Sequence, residues 1–218
     1  MVVSELAPGL WRWTALHPDW TPEEGEDGEG WEQEVGCVYL ETPGHVLLFD
    51  PLIPGEPESR ATFLSNLDDD VRRKGKPVAI LITIFFHERS SAELARRYDA
   101  SIWARVGAAD RIEAPVSNQF VPGDTLPGGV IGLDGQRAFE TIYWLPEQRA
   151  LVPGDSLLGD RDGGVRVTPE SWLSNTTSRD FKRSLRGLLD LPVEMVLLSH
   201  GEPVLKDGHA VLERALAD

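Results

Sequence analysis

Residues 77–104 read PVAILITIFFHERSSAELARRYDASIWA. Pro77–Thr83 is an unbroken apolar run, the pattern of a strand buried on both faces. Ser91–Tyr98 predicts a helix with Leu94 and Ala95 inward. Ala100–Ala104 then predicts a second short strand. Between strand and helix lies His87-Glu88-Arg89-Ser90-Ser91, which gathers an imidazole, a carboxylate, a guanidinium and two hydroxyls into one loop.

The chain on either side follows the same logic. Gly9–Thr14 predicts a short strand. Val35–Glu41 and His45–Asp50 are apolar runs joined by Thr42-Pro43-Gly44, a hairpin signal. Arg60–Arg73 places Phe63, Leu64, Leu67 and Val71 at helical spacing. Short strands are expected at Gly129–Leu133, Ala138–Leu145, Ala150–Val152 and Val193–Leu198. Ser178 is placed to cap a helix with Phe181, Leu185, Leu188 and Leu189 inward. Gly208–Leu216 closes the chain as a helix. Hairpins mixed with helices do not alternate as strand and crossover would. They predict sheet packed on sheet with helices outside, in one domain spanning residues 1–218.

Composition narrows the function classes. The 218 residues hold 21 Lys plus Arg against 36 Asp plus Glu, a formal net charge of −15. That charge opposes binding to a phosphate backbone or to an anionic membrane surface. No nucleic-acid or membrane partner is therefore expected. A single Cys allows no internal disulfide and no Cys-rich zinc site, and cytoplasm is the default location. The start of the chain has neither a basic region nor a long apolar run, so no signal peptide is expected. Cys37, in an apolar strand, is expected in the core.

Residues 17–34, HPDWTPEEGEDGEGWEQE, have no apolar period and read as an acidic surface loop. Trp20 and Trp31 suggest a flap over a pocket. Such acidic, Trp-bearing loops also leave room for a homodimer.

Four segments stand in a specific order: VGCVYLETPGHVLLFDPLIP (35–54), the stretch quoted first, TIYWLPEQRALVPGDSLLG (141–159) and VEMVLLSHGEPV (193–204). Together they resemble the metallo-β-lactamase superfamily, from about Val35 to the chain end. The resemblance implies an α/β (α+β) fold, a four-layer αββα sandwich with its site at one edge of the two sheets. It also implies one or two metal ions held by an H-x-H-x-D-H loop, a further His, a Gly-Asp carboxylate and a last His, with hydrolysis as the usual chemistry. Asp155 and His200 match the Gly-Asp carboxylate and the last His. The loop motif does not match. Anchored on Thr83, its ligand positions fall on Ile84, Phe86, Glu88 and Arg89. Anchored on Leu94, they fall on Ile82, Ile84, Phe86 and His87. The further His falls near Gln136.

Five His in all leave too few imidazoles for a dinuclear zinc site. If an ion binds, its ligands come from His87, Glu88, Asp155 and His200; otherwise there is no metal. Two readings stand for each residue. His87, Glu88, Arg89, Asp155 and His200 form the catalytic set, with Trp13, His17, Trp20, Gln136 and Arg137 around a small-molecule ligand. The plainer reading makes Asp155 a turn former, His200 a buried imidazole and Glu88–Arg89 a surface ion pair. In a variant of it, Arg89 fills the vacated metal space and pairs with Asp155 and Glu88. His45 and His209 read as surface residues. The leading expectation is a small-molecule binder or a weak, metal-free hydrolase. The alternatives are a mononuclear metallo-hydrolase and a non-catalytic interaction protein.

Overall fold

The computed structural model describes residues 1–25, 30–135, 137–160 and 163–217. Its strands are β1 (Val3–Ala7), β2 (Leu10–Leu16), β3 (Glu34–Glu41), β4 (Val46–Phe49), β5 (Val78–Leu81), β6 (Ser101–Arg105), β7 (Asn118–Phe120), β8 (Ile131–Asp134), β9 (Thr141–Leu145), β10 (Ala150–Val152), β11 (Leu157–Gly159), β12 (Val165–Val167) and β13 (Met195–Val196). The helices are α1 (Pro57–Lys74), α2 (Ser91–Tyr98), α3 (Ser178–Ser184) and α4 (Gly208–Ala215).

One sheet runs in the order β1-β2-β3-β4-β5-β6-β7 and the other in the order β13-β10-β9-β8, with β11-β12 as a separate ladder. In the larger sheet β1 to β4 pair antiparallel, then β4 to β7 pair parallel. The apolar runs explain the layering. Successive side chains on a strand point to opposite faces. On β4, Val46 and Leu48 join an outer cluster with Phe63, Leu67 and Leu94, from α1 and α2. Leu47 and Phe49 turn the other way and meet Tyr143, Leu145 and Leu197 between the sheets. On β9, Ile142 and Trp144 face Phe181 and Leu212, from α3 and α4. Three apolar layers separate helix, sheet, sheet and helix, which is the four-layer sandwich. Each central strand buries both faces, which is why its sequence is unbroken rather than alternating.

The helix ends are capped as their chemistry demands. Glu56 accepts from the Glu58 and Ser59 amides ahead of Pro57, and Gly75 closes α1 at φ 60°. Several boundaries differ from expectation. Thr177, not Ser178, caps α3, its hydroxyl accepting from Asp180 N at 3.2 Å. α3 stops at Ser184, and the chain continues as a 3₁₀ turn, Arg186–Asp190. β9 begins at Thr141 because Ala138 and Phe139 have φ of 43° and 60°, which no extended strand accommodates. Of Val193–Leu198, only Met195–Val196 are laddered as a strand. β1, β7, β11 and β12 were not expected, being edge or hairpin strands of three to five residues, although Leu157, Leu158, Val165 and Val167 of the last two are buried. Among the described residues no helix is long and apolar enough to cross a membrane.

Candidate functional site

Strand ends and their following turns bring His87, Asp155 and His200 together at one edge of the sandwich. They are 4, 5 and 5 % exposed, and their ligating atoms lie within 4.8 Å of one another.

His87 ends a 3₁₀ turn, Phe85–His87, that follows the buried strand β5. Its Nδ1 lies 2.9 Å from Asp50 Oδ2 and 3.1 Å from Thr83 Oγ1. Asp50, at the end of β4, also accepts from the Thr83 amide at 2.8 Å and the Thr83 hydroxyl at 2.5 Å. The Nε2 face of His87 is thereby turned to Asp155 Oδ1, 3.1 Å away. Asp155 follows Gly154, whose φ is +59°. A Cβ at position 154 would lie 2.5 Å from Glu140 Oε1 and 3.0 Å from Thr83 Cβ, so the turn requires glycine.

His200 bridges to Val35 at the start of β3, and Ser199 O accepts from Gly36 N at 2.7 Å. Arg12 pins the turn beyond it, donating to Gly201 O at 2.8 Å. Gly159 and Gly201 approach so closely that a Cβ on either would stand under 3 Å from the other's backbone.

His200 Nε2 lies 3.3 Å from the same Asp155 Oδ1. Neither imidazole contact has hydrogen-bond geometry, so Oδ1 is a buried carboxylate oxygen without a hydrogen bond. The other oxygen, Oδ2, accepts from Arg137 Nη1 at 3.0 Å. The Arg137 guanidinium lies over Trp172, 5.4 Å from the ring centre. Arg111 stacks on both Phe85 and Phe139 and so ties the His87 turn to the segment carrying Arg137.

The charges are uneven. Burial and Arg89 oppose a proton on His87, but Asp155 and Asp50 outweigh them and raise its pKa to about 9. Burial holds the His200 pKa below its ordinary value despite Asp155. Burial also opposes the Asp155 charge, yet His87 and His200 hold its pKa well below the usual carboxylate range. Behind them, burial and the Asp155 charge push the Glu140 carboxyl upward.

A cleft of about 510 Å³ opens over these groups, of a size for a small molecule. Trp31, Trp172 and Phe86 supply its apolar walls, and His17, Arg89 and Arg137 line it. Trp31 packs edge-on against both His17 and His200, with ring centres 5.1 and 5.0 Å away. Burial and Arg89 lower the His17 pKa to about 4, so His17 is neutral at pH 7.

The expected residues sort unevenly. His87, Arg89, Asp155, His200, His17 and Arg137 all reach the cleft. Glu88 does not join the ligating group: its carboxylate accepts from Glu113 N and Ala114 N at 2.6 and 2.7 Å, so it is neither a ligand nor a surface ion-pair partner of Arg89. Arg89 does not pair with Asp155 or Glu88. Its Nη1 donates to Asp50 O and Gly36 O and its Nη2 to Ser199 Oγ, stitching β3, β4 and the His200 strand together. Trp13 is not a wall of the cleft. Its ring packs on Phe63 in the outer core and its Nε1 donates to Leu52 O at 2.9 Å. Trp20 also stays off the cleft lining and donates instead to Trp31 O, holding Trp31 in place. Gln136 and residues 26–29 of the acidic loop lie outside the described residues. His45 and His209 lie at the surface, each partly covered, and His209 Nε2 is 2.9 Å from Leu189 O. Cys37 is buried as expected, its Sγ accepting from Leu52 N.

Asp50, Glu140 and Trp172 were missed as contributors to the site. Asp50 was visible only as a hairpin end, and Glu140 only as a carboxylate heading the apolar run of β9.

The donor set has the chemistry of a site for the metal that the resemblance implies, two imidazoles and a carboxylate. Zinc bonds of about 2.0–2.1 Å at tetrahedral angles place ligand atoms roughly 3.3 Å apart. The separations of 3.1 and 3.3 Å about Asp155 Oδ1 match that. Asp50 behind His87 Nδ1 is the carboxylate support that fixes a ligating imidazole. Two of the three ligand pairs therefore suit one ion, and the two imidazole nitrogens, within 4.8 Å of each other, would have to stand no more than about 4.2 Å apart for both to ligate it. Among the described residues no second such group stands beside it: Ile84 is a buried apolar residue, Glu88 is spent on backbone amides, and Arg137 occupies Asp155 Oδ2.

No protein-family model and no curated protein matches the sequence. Solved structures do. A metallo-beta-lactamase from Pontibacter korlensis superposes with a TM-score of 0.70 at 14% identity, covering 99% of this chain and 98% of that one. The metallo-beta-lactamase FIM-1 from Pseudomonas aeruginosa, in its mono-zinc form, gives 0.69 at 11% identity, covering 99% and 94%. A metallo-beta-lactamase family protein from Thermus thermophilus gives 0.64 at 18%, covering 97% and 79%. At these identities the likeness concerns the fold, and it agrees with the layers and strand order found here: the chain has the metallo-β-lactamase fold.

Proposed function

We propose that the cleft holds one divalent ion of the zinc class on His87 Nε2, Asp155 Oδ1 and His200 Nε2, and that the protein hydrolyses a small substrate there. The observation that carries this is the buried Asp155 Oδ1, without a hydrogen bond and flanked by two imidazole nitrogens at 3.1 and 3.3 Å. A buried carboxylate oxygen needs a countercharge, and a cation shared with the two imidazoles supplies one. Three protein ligands leave a position open, as catalytic zinc sites do. A bound ion there supplies Lewis-acid polarisation and lowers the pKa of water.

The protein's own residues do the rest. Asp50 holds a proton on His87 Nδ1, so that the proton His87 gives up in order to ligate is the one on Nε2. Arg137 holds the second oxygen of Asp155, so the carboxylate offers only Oδ1 to the ion. Trp31, Trp172 and Phe86 give the substrate an apolar enclosure.

Elemental analysis of tag-free protein tests the reading. About one equivalent of zinc, iron or manganese is expected, lost in Asp155→Ala and in His200→Ala. Metal-free protein after incubation with zinc, or metal retained by both variants, overturns it.

A further inference from the structure

Behind Asp155 sits a second carboxyl group that touches neither imidazole. Glu140 is fully buried at the head of β9. Its Oε1 accepts from two consecutive amides, Asp155 N and Ser156 N, the latter at 2.9 Å. Its Oε2 lies 2.5 Å from Ser156 Oγ, which is also 2.7 Å from Gly135 O. The turn Gly154–Ser156 is thus gripped from behind by one side chain. The absence of a side chain at Gly154 is what lets Oε1 come so close. On the other side Thr168 donates to Asp155 O, so both backbone polar groups of Asp155 are spoken for.

We propose that Glu140 is a positioning residue. By clamping the Asp155 and Ser156 amides it sets the direction of the Asp155 side chain, with Oδ1 toward His87 and His200. The inference deepens the metal reading above and rests on it for its consequence, though the clamp itself exists without metal. A side-chain amide should serve as well as the carboxyl. The Ser156 hydroxyl has one proton and two oxygen neighbours. A Gln at 140 would keep a carbonyl for the two amides and offer an N–H to Ser156 Oγ, leaving that proton for Gly135 O.

Two readouts test this on the full chain. The first is metal-independent: the amide proton of Asp155 should resonate strongly downfield in wild-type protein, stay downfield in Glu140→Gln and move upfield in Glu140→Ala. The second is zinc affinity by chelator competition. Glu140→Ala should weaken it about 10- to 100-fold, the usual effect of removing a group that supports a ligand. Glu140→Gln should stay within about threefold of wild type on the same scale. If Glu140→Ala does not fold, Ser156→Ala, which removes only the Oε2 partner, should weaken zinc binding several-fold with an unchanged circular dichroism spectrum. The proposal is overturned if Gln is as damaging as Ala, if the foldable variants bind zinc like wild type, or if the Asp155 amide shift ignores Glu140. Should wild type bind no zinc, the function proposed above falls, and the amide shift alone decides whether the clamp exists.

Discussion

Asp50→Asn offers the sharpest test of how the proposed metal site is built. Asp50 accepts three hydrogen bonds: Oδ1 from Thr83 N, and Oδ2 from Thr83 Oγ1 and His87 Nδ1, at 2.8, 2.5 and 2.9 Å. In the Asn variant the carbonyl must stay on the Thr83 amide, since that donor has no alternative partner. The new NH₂ then faces the Thr83 hydroxyl and His87 Nδ1. The hydroxyl can rotate. His87 relieves the remaining clash by moving its proton to Nε2, the nitrogen that should ligate. Binding metal then requires the original tautomer and leaves a buried donor unpaired, at about 1–3 kcal/mol. At about 1.4 kcal/mol per tenfold, that is roughly 5- to 150-fold in affinity. It agrees with the roughly 10- to 100-fold cost typical of ligand-supporting groups. The assay is zinc affinity by chelator competition at fixed pH, with the melting temperature followed in parallel. An Asp50→Asn affinity within about twofold of wild type, while Asp155→Ala abolishes binding, would refute the tautomer argument.

Other outcomes follow from the packing and electrostatics. Gly154→Ala should be destabilised by more than about 1 kcal/mol, from left-handed backbone strain and the Glu140 contact, and should bind zinc more weakly, as read by denaturant melts and chelator competition. Leu212→Ala, on the fully buried face of α4, should cost about 2–5 kcal/mol in urea unfolding yet leave metal stoichiometry at the wild-type value, because Leu212 does not line the cleft. It also serves as a destabilised control for Glu140→Ala. The Arg97 hydrogen bonds hold the Asp68 pKa below its ordinary value of 3.8. Its stabilisation is therefore present above that value and lost as pH falls through the lower folded value. Asp68→Asn should cost less than about 1 kcal/mol at pH 7, and the difference in melting temperature from wild type should close below about pH 4.

How much of the site was legible depends on the range of each interaction. The α2 helix was readable to the residue, because Ser91, Leu94 and Ala95 stand at i, i+3 and i+4 and bury one face. The strands β4, β5 and β9 announced themselves through apolar runs that feed two clusters at once. Asp155 and His200 were readable from segment order. Glu88 and His87 are neighbours in sequence with identical local signals for ligation, and nothing local separates them. The structure does: one 3₁₀ turn sends His87 inward and Glu88 to the amides of Glu113 and Ala114. Arg89 and Arg137 present the same difficulty. Either could meet Asp155, and the fold chose Arg137 while spending Arg89 on three backbone and hydroxyl oxygens.

The sequence by itself determined the layers, since apolar periodicity is a local property and dictates which face of each element must leave water. It also determined that the site is poor in imidazoles, since five His cannot be rearranged into more. Only the tertiary structure decided which polar atoms converge. Asp50 reaches His87 across 37 residues and Glu140 reaches Asp155 across 15, and no local pattern records either pairing. Those contacts arise where strand ends from both sheets meet at one edge, and there the protein leaves a single carboxylate oxygen between two imidazoles.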